Sequence, residues 1–129
     1  SPEYAMRGLF SVRSDVYSFG VLLLEIISGQ RNISFHLNDI FLNLLTYAWQ
    51  LWEEDKVMLL LDASISQTSS LAEVSRCVHV GLLCVQDHVD ERPAMSSVVF
   101  MLENDTAIHD KPKRPMFMLE RSPWKRELQ

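Results

Sequence analysis

The sequence has only four glycines and two cysteines in 129 residues, and it has no apolar run long enough to cross a bilayer. Its longest nearly apolar stretch, residues 16–27, covers 12 positions and is interrupted by Ser18 and Glu25, against about 20 needed for a helical span. No membrane span is expected. Two cysteines give no disulfide framework. Cys77 and Cys84 lie seven positions apart in a helically patterned segment. Their Cα atoms would then be about 10 Å apart, beyond the roughly 7 Å a disulfide tolerates. They are expected to be reduced thiols in a core, with a redox pair as the alternative.

Positive charge is scarce where a fold would be. Residues 1–103 carry 6 Lys/Arg against 13 Asp/Glu, a balance of −7, whereas residues 104–129 carry 6 against 4, a balance of +2. Nucleic-acid binding needs a basic face that exchanges counterions at phosphates, and no basic cluster precedes residue 111. No nucleic-acid partner is expected. An initiator Met and a basic-then-apolar leader are also lacking over residues 1–8, so the reading is expected to begin inside a longer protein.

What is present is an ordinary globular composition, 47% hydrophobic and 22% charged, in a chain able to bury a single core without staples. Four helical patterns appear, with no convincing strand and no repeat, so the expected fold class is all-α. The first covers 15–28, with Ser14 as its N-cap, Asp15 in the first turn and Gly29 as its stop. Its apolar residues surround almost the whole circumference, which predicts a buried central helix. The second, over 39–52 from Asp39 to Trp52, shows one apolar face through Phe41, Leu44, Leu45 and Ala48. An acidic turn, Glu53-Glu54-Asp55, follows it, and then a run over 57–61 too short to type by periodicity, read as a short helix with an extended loop segment as the alternative. The third covers 71–86, and the fourth, after Pro93, covers 95–103. Beyond Asn104, three prolines and six basic residues predict an extended tail that packs locally through Phe117 or Trp124.

Three strings then stand in a telling order: Ser1-Pro2-Glu3-Tyr4-Ala5, Asp15-Val16-Tyr17-Ser18-Phe19-Gly20-Val21, and Asp90-Glu91-Arg92-Pro93. Together they resemble the helical C-terminal portion of the large lobe of a eukaryotic protein kinase. The resemblance is strongest to plant receptor-like serine/threonine kinases of the S-domain, or G-type lectin, group. It covers residues 1–103, read as an incomplete kinase domain, with 104–129 as a cytosolic tail. It implies that Glu3 and Arg92 form a mostly buried ion pair fastening the end of the activation segment to the distal helices. It implies further that Asp15 accepts backbone N–H groups of the catalytic loop. Tyr17, Gly20 and Trp49 read as core and helix-contact residues.

Phosphoryl transfer in that family needs a glycine-rich phosphate cover, a lysine on the phosphates, a catalytic Asp and Mg²⁺-holding Asn and Asp residues. The sequence contains no G-x-G-x-x-G, H-R-D or D-F-G string. His36, His79, His88 and His109 have no ligand-spaced Cys or carboxylate, and no serine sits in a G-x-S-x-G turn. No catalytic, cofactor-binding or metal residues are therefore expected in this chain, while the complete kinase would use ATP and Mg²⁺. The expected partner is the N-terminal part of the kinase domain, with protein substrates or kinase partners docking on the 39–52 helix. As part of a single-pass receptor the chain would lie on the cytosolic side of the plasma membrane, and expressed alone it would be cytosolic. The alternative reading is a short non-catalytic decoy that competes with a full-length receptor kinase.

Overall fold

In a computed structural model of the chain, residues 2–29 and 37–116 are described, with side chains for 12–29 and 44–116. The elements are α1 (Pro2–Ser28), α2 (Leu37–Glu53), α3 (Ala63–Ser66), α4 (Leu71–Cys84) and α5 (Met95–Glu103), with 3₁₀ turns at Val57–Leu60 and Val89–Glu91. No strand occurs among the described residues. The fold is all-α, as the periodicity predicts.

The start of α1 differs from expectation. Ser14 stands exposed inside the helix, so it is not the N-cap, and Asp15 is not in a first turn. No proline interrupts residues 3–13, and Ala5, Met6, Arg7 and Leu9 favour helix. Pro2 sits at the first helical position, where its missing N–H has no partner to lose. The stop at Gly29 is as expected. Gly29 adopts φ 72°, and a Cβ there would lie 2.7 Å from Cγ of Asp62. Asp62 in turn donates its backbone N–H to the Ile27 carbonyl at 2.8 Å, tying the end of α1 to the start of α3.

The central helix is α4 rather than α1. Helices α1, α2 and α5 and the Val57–Leu60 turn all pack against it, and every residue from Val80 to Gln86 is buried. Its N-terminus carries a cap that the sequence reading overlooked. Ser70 Oγ accepts the Glu73 N–H at 3.1 Å, and Glu73 adds negative charge to the first turn. The S-x-x-E spacing was the available signal. The helix ends at Cys84, two residues earlier than expected, because Val85 leaves helical geometry.

Two apolar clusters meet along α4. The larger joins Leu24 and Ile27 of α1, Leu45 and Ala48 of α2, Leu60, and Val78 and Leu82 of α4. The smaller joins Val16, Val80, Cys84 and Val98. Full burial of a side chain such as Leu24 contributes about 1.5–3 kcal/mol. The α1–α4 crossing is close because two glycines face it. A Cβ on Gly20 would meet Cys84 Cβ at 2.6 Å and the Gly81 carbonyl at 2.9 Å, and one on Gly81 would meet Leu24 Cδ2 at 3.0 Å.

The one-faced reading of α2 holds at Leu44, Leu45 and Ala48, which are buried with Leu51. The Phe41 side chain lies outside the described residues. After α2, Lys56 N–H donates to the Leu51 carbonyl at 2.8 Å while Asp55 takes φ 57°, a left-handed position that Asp tolerates better than most residues.

Candidate functional site

Three features converge where the resemblance places structural kinase motifs: the middle of α1, the loop from α4 to α5, and the segment that follows α5. Arg92 is their meeting point. It closes the Val89–Glu91 turn with extended backbone, and its side chain reaches back toward α1 and the end of α4.

The Arg92 guanidinium serves main-chain oxygens. Nε donates to the Gln86 carbonyl at 2.7 Å, Nη1 to the Arg13 carbonyl at 3.2 Å and Nη2 to the Asp87 carbonyl at 3.4 Å. Arg13 reciprocates by donating from Nη1 to the Arg92 carbonyl. The Arg92 plane also lies over the Tyr17 ring, with Cζ 4.8 Å from its centroid, a favourable contact between cation and ring face. Burial raises the Tyr17 hydroxyl pKa, and the negative charge of Asp87 adds to the rise while Arg92 opposes it.

Gln86 and Asp87 connect this junction to the segment after α5. Gln86 is 7% exposed. Its Nε2 donates to the Leu82 carbonyl at 3.0 Å and to the Lys113 carbonyl at 3.5 Å, and its Oε1 accepts the Lys113 N–H at 3.2 Å. Asp87 Oδ2 accepts the Met116 N–H at 2.7 Å. Earlier in the chain, on α4 itself, His79 Nε2 lies 2.7 Å from the Asp110 carbonyl and its ring lies 4.5 Å from that of Trp52. Burial lowers the His79 pKa. Arg76 donates to the Thr106 carbonyl at 2.9 Å and the Met101 carbonyl at 3.2 Å, and pairs with Asp105 at 3.3 Å.

Of the residues singled out from sequence, Arg92 occupies this junction, and the Glu3 side chain lies outside the described residues. Asp15 is exposed on α1. It shares one helical sector with Val12, Ser18, Leu22 and Ile26, which are also exposed; Leu22 keeps 52% and Ile26 62% of its surface in contact with solvent. The expectation of a helix buried all round therefore fails on this side. Tyr17 and Trp49 are half-buried and Gly20 is buried, all three against the helical body.

The cysteines are free thiols. Burial pushes Cys84 up to about 12 and also raises Cys77, where Glu73 adds to the effect and Arg76 opposes it. Neither thiol is activated. Among the described residues no His, Cys, Asp and Glu cluster could hold a metal ion, and no helix is long and apolar enough to cross a membrane. The acidic turn after α2 already faces cations of this chain, with Glu53 3.7 Å from Arg114 and Glu54 4.0 Å from Lys56. Sequence reasoning missed Arg13, Gln86 and Asp87, whose roles depend on main-chain partners.

Comparison with known proteins bears on these positions directly. The family model for protein tyrosine and serine/threonine kinases matches residues 1–102. The chain is 50% identical over 127 residues to the receptor-like serine/threonine-protein kinase SD1-7 of Arabidopsis thaliana, covering 95% of this chain and 15% of that protein. It is 55% identical over 117 residues to the G-type lectin S-receptor-like serine/threonine-protein kinase B120 of Arabidopsis thaliana, covering 91% of this chain and 14% of that protein. It is 50% identical over 120 residues to the cysteine-rich receptor-like protein kinase 6 of Arabidopsis thaliana, covering 93% and 18%. The chain thus spans less than a fifth of the length of these relatives. No solved structure matches it. With a family match over residues 1–102 that takes in all three motif strings, the chain belongs to the protein tyrosine and serine/threonine kinase family.

Proposed function

We propose that the chain is the C-terminal, helical portion of the kinase domain of a receptor-like serine/threonine kinase. Its role is to support phosphoryl transfer that residues outside this chain perform. In the complete protein, ATP and Mg²⁺ supply the transferred phosphate and the charge neutralisation for attack by a protein Ser or Thr hydroxyl. This chain supplies neither the phosphate cover nor the catalytic carboxylates, and by itself it transfers nothing.

The observation that carries this reading is the open sector of α1. Asp15 stands there in line with Leu22 and Ile26, so one stripe combines a hydrogen-bond acceptor with large apolar side chains that lack cover. Such a stripe suits the underside of a catalytic loop, with Asp15 accepting its N–H groups and the two apolar residues packing against the preceding helix. On the opposite side, Arg92 uses three of its five N–H groups on described carbonyls. These three bonds fasten the loop before α5 to α1 and to the end of α4. The parent receptor would hold the whole domain at the cytosolic side of the plasma membrane.

An antibody against residues 111–129 tests the proposal in the tissue that makes the protein. A band far larger than 14.9 kDa in the membrane fraction is expected. A soluble band near that mass would overturn the reading in favour of a short decoy.

A further inference from the structure

We propose that residues 104–116 form a strap whose docking on α4 and on Gln86 and Asp87 just beyond it fixes the loop that carries Arg92. The inference goes beyond the kinase reading, because the family match ends at residue 102 and the strap lies after it. Four separate anchors hold the strap. Arg76 takes the Thr106 carbonyl and the Asp105 carboxylate, His79 the Asp110 carbonyl, Gln86 both backbone groups of Lys113, and Asp87 the Met116 N–H. Pro112 is buried between the second and third anchors.

The chemistry of the anchors distinguishes a built contact from a tail resting on a surface. They are mostly side chain to main chain, so they read the course of the strap's backbone and not its side chains. Two charge pairs add complementarity, Lys113 with Glu91 at 2.6 Å and Arg114 with Glu53 at 3.7 Å, though exposed pairs of this kind contribute little. The decisive geometry is at Gln86 and Asp87. Their side chains hold the strap, while their carbonyls accept the Arg92 Nε and Nη2 donors. Two consecutive residues thus bind the strap on one side and Arg92 on the other. A docked strap restricts the backbone of both residues, which restricts the carbonyl positions that Arg92 requires. Release of the strap frees them.

The test is amide hydrogen exchange on the 129-residue chain, read at the Glu91 and Arg92 amides, which donate to the His88 and Val89 carbonyls at 3.0 and 3.2 Å. Lys113→Pro removes the N–H that Gln86 Oε1 accepts, and Asp87→Ala removes the acceptor of Met116 from an exposed position where refolding is not at stake. Each is expected to speed exchange at Glu91 and Arg92 about tenfold, with the Val78 and Leu82 amides in α4 unchanged. Lys113→Ala keeps the N–H, loses only the Glu91 pair, and should stay within about twofold of the parent chain. The proposal is overturned if Lys113→Pro and Asp87→Ala leave the loop amides as protected as before. It is equally overturned if they speed α4 and the loop alike, because the strap would then stabilise the whole body and not the loop.

Discussion

Arg13 and Arg92, 79 positions apart, each donate a guanidinium N–H to the other's backbone carbonyl. Two cations held this close would repel if each were not also placed against negative charge density. The carbonyl oxygens supply it, together with the Tyr17 ring face beneath Arg92. The arrangement requires a planar, forked donor on Arg92, since one side chain reaches three carbonyls of different orientation.

Replacing Arg92 should therefore show a graded loss. Arg92→Ala leaves three carbonyls short of a charged donor and is expected to cost about 2–3 kcal/mol. Arg92→Lys keeps the charge but cannot serve all three, and should recover less than half of that loss. Urea unfolding of the two variants checks this, and a Lys variant as stable as the parent would contradict the geometry described.

The α1–α4 crossing gives a second prediction, from two glycines with unequal neighbours. Gly20→Ala drives a Cβ into Cys84 Cβ at 2.6 Å and a backbone oxygen at 2.9 Å, neither of which can rotate away. A loss of about 1–3 kcal/mol is expected. Gly81→Ala meets Leu24 Cδ2 at 3.0 Å and Cγ at 3.1 Å, with backbone no nearer than the Gly20 carbonyl at 3.7 Å, so a shift of one side chain relieves it and its effect should be smaller. Equal losses in denaturation would mean that the helices are not so close.

Thiol chemistry reports on the core independently. With Cys84 pushed up to about 12 by burial, an alkylating reagent at pH 8 should leave Cys84 unmodified in the folded chain and label both cysteines after unfolding. The linkage has a definite sign. The unfolded thiol titrates at its ordinary value of 9.0 and the folded one near 12, so between these values the folded chain holds a proton that the unfolded chain releases. The Cys84 contribution to stability is complete below pH 9 and is lost as pH rises through this window. Cys84→Ala should flatten that part of the alkaline decline.

Solubility tests the open sector of α1. Leu22 and Ile26 are exposed and touch the same side of the helix as Asp15, so the isolated chain should self-associate through them. Leu22→Glu with Ile26→Lys is expected to raise the monomeric fraction in sedimentation without loss of helical circular dichroism. A parent chain that is already monomeric with a sharp, cooperative melt would contradict an uncovered face.

These features were unequally legible in the sequence. Helix α5 is bounded by Pro93 before it and by polar residues after it, and its predicted and observed limits agree at Met95 and Glu103. The stop of α1 is written in Gly29, because a φ of 72° excludes most other residues. Its start is not, since Ser14 suits a cap and an exposed helix interior equally well. Exposure of Leu22 and Ile26 cannot be read from periodicity either: an apolar helix looks buried whether its cover lies within the same chain or in another part of the protein. The family motifs marked Arg92 as structural. They did not reveal Gln86, Asp87 or the strap, because main-chain acceptors carry no residue signature and the contacts join segments more than 25 positions apart.

The most direct measurement is phosphate incorporation by the purified chain given ATP, Mg²⁺ and a generic protein substrate. Described as the supporting helical portion of a receptor-like kinase domain, the chain should transfer no phosphate to the substrate or to itself. Clear incorporation that co-purifies with the monomer and is lost with the chain removed would contradict the account.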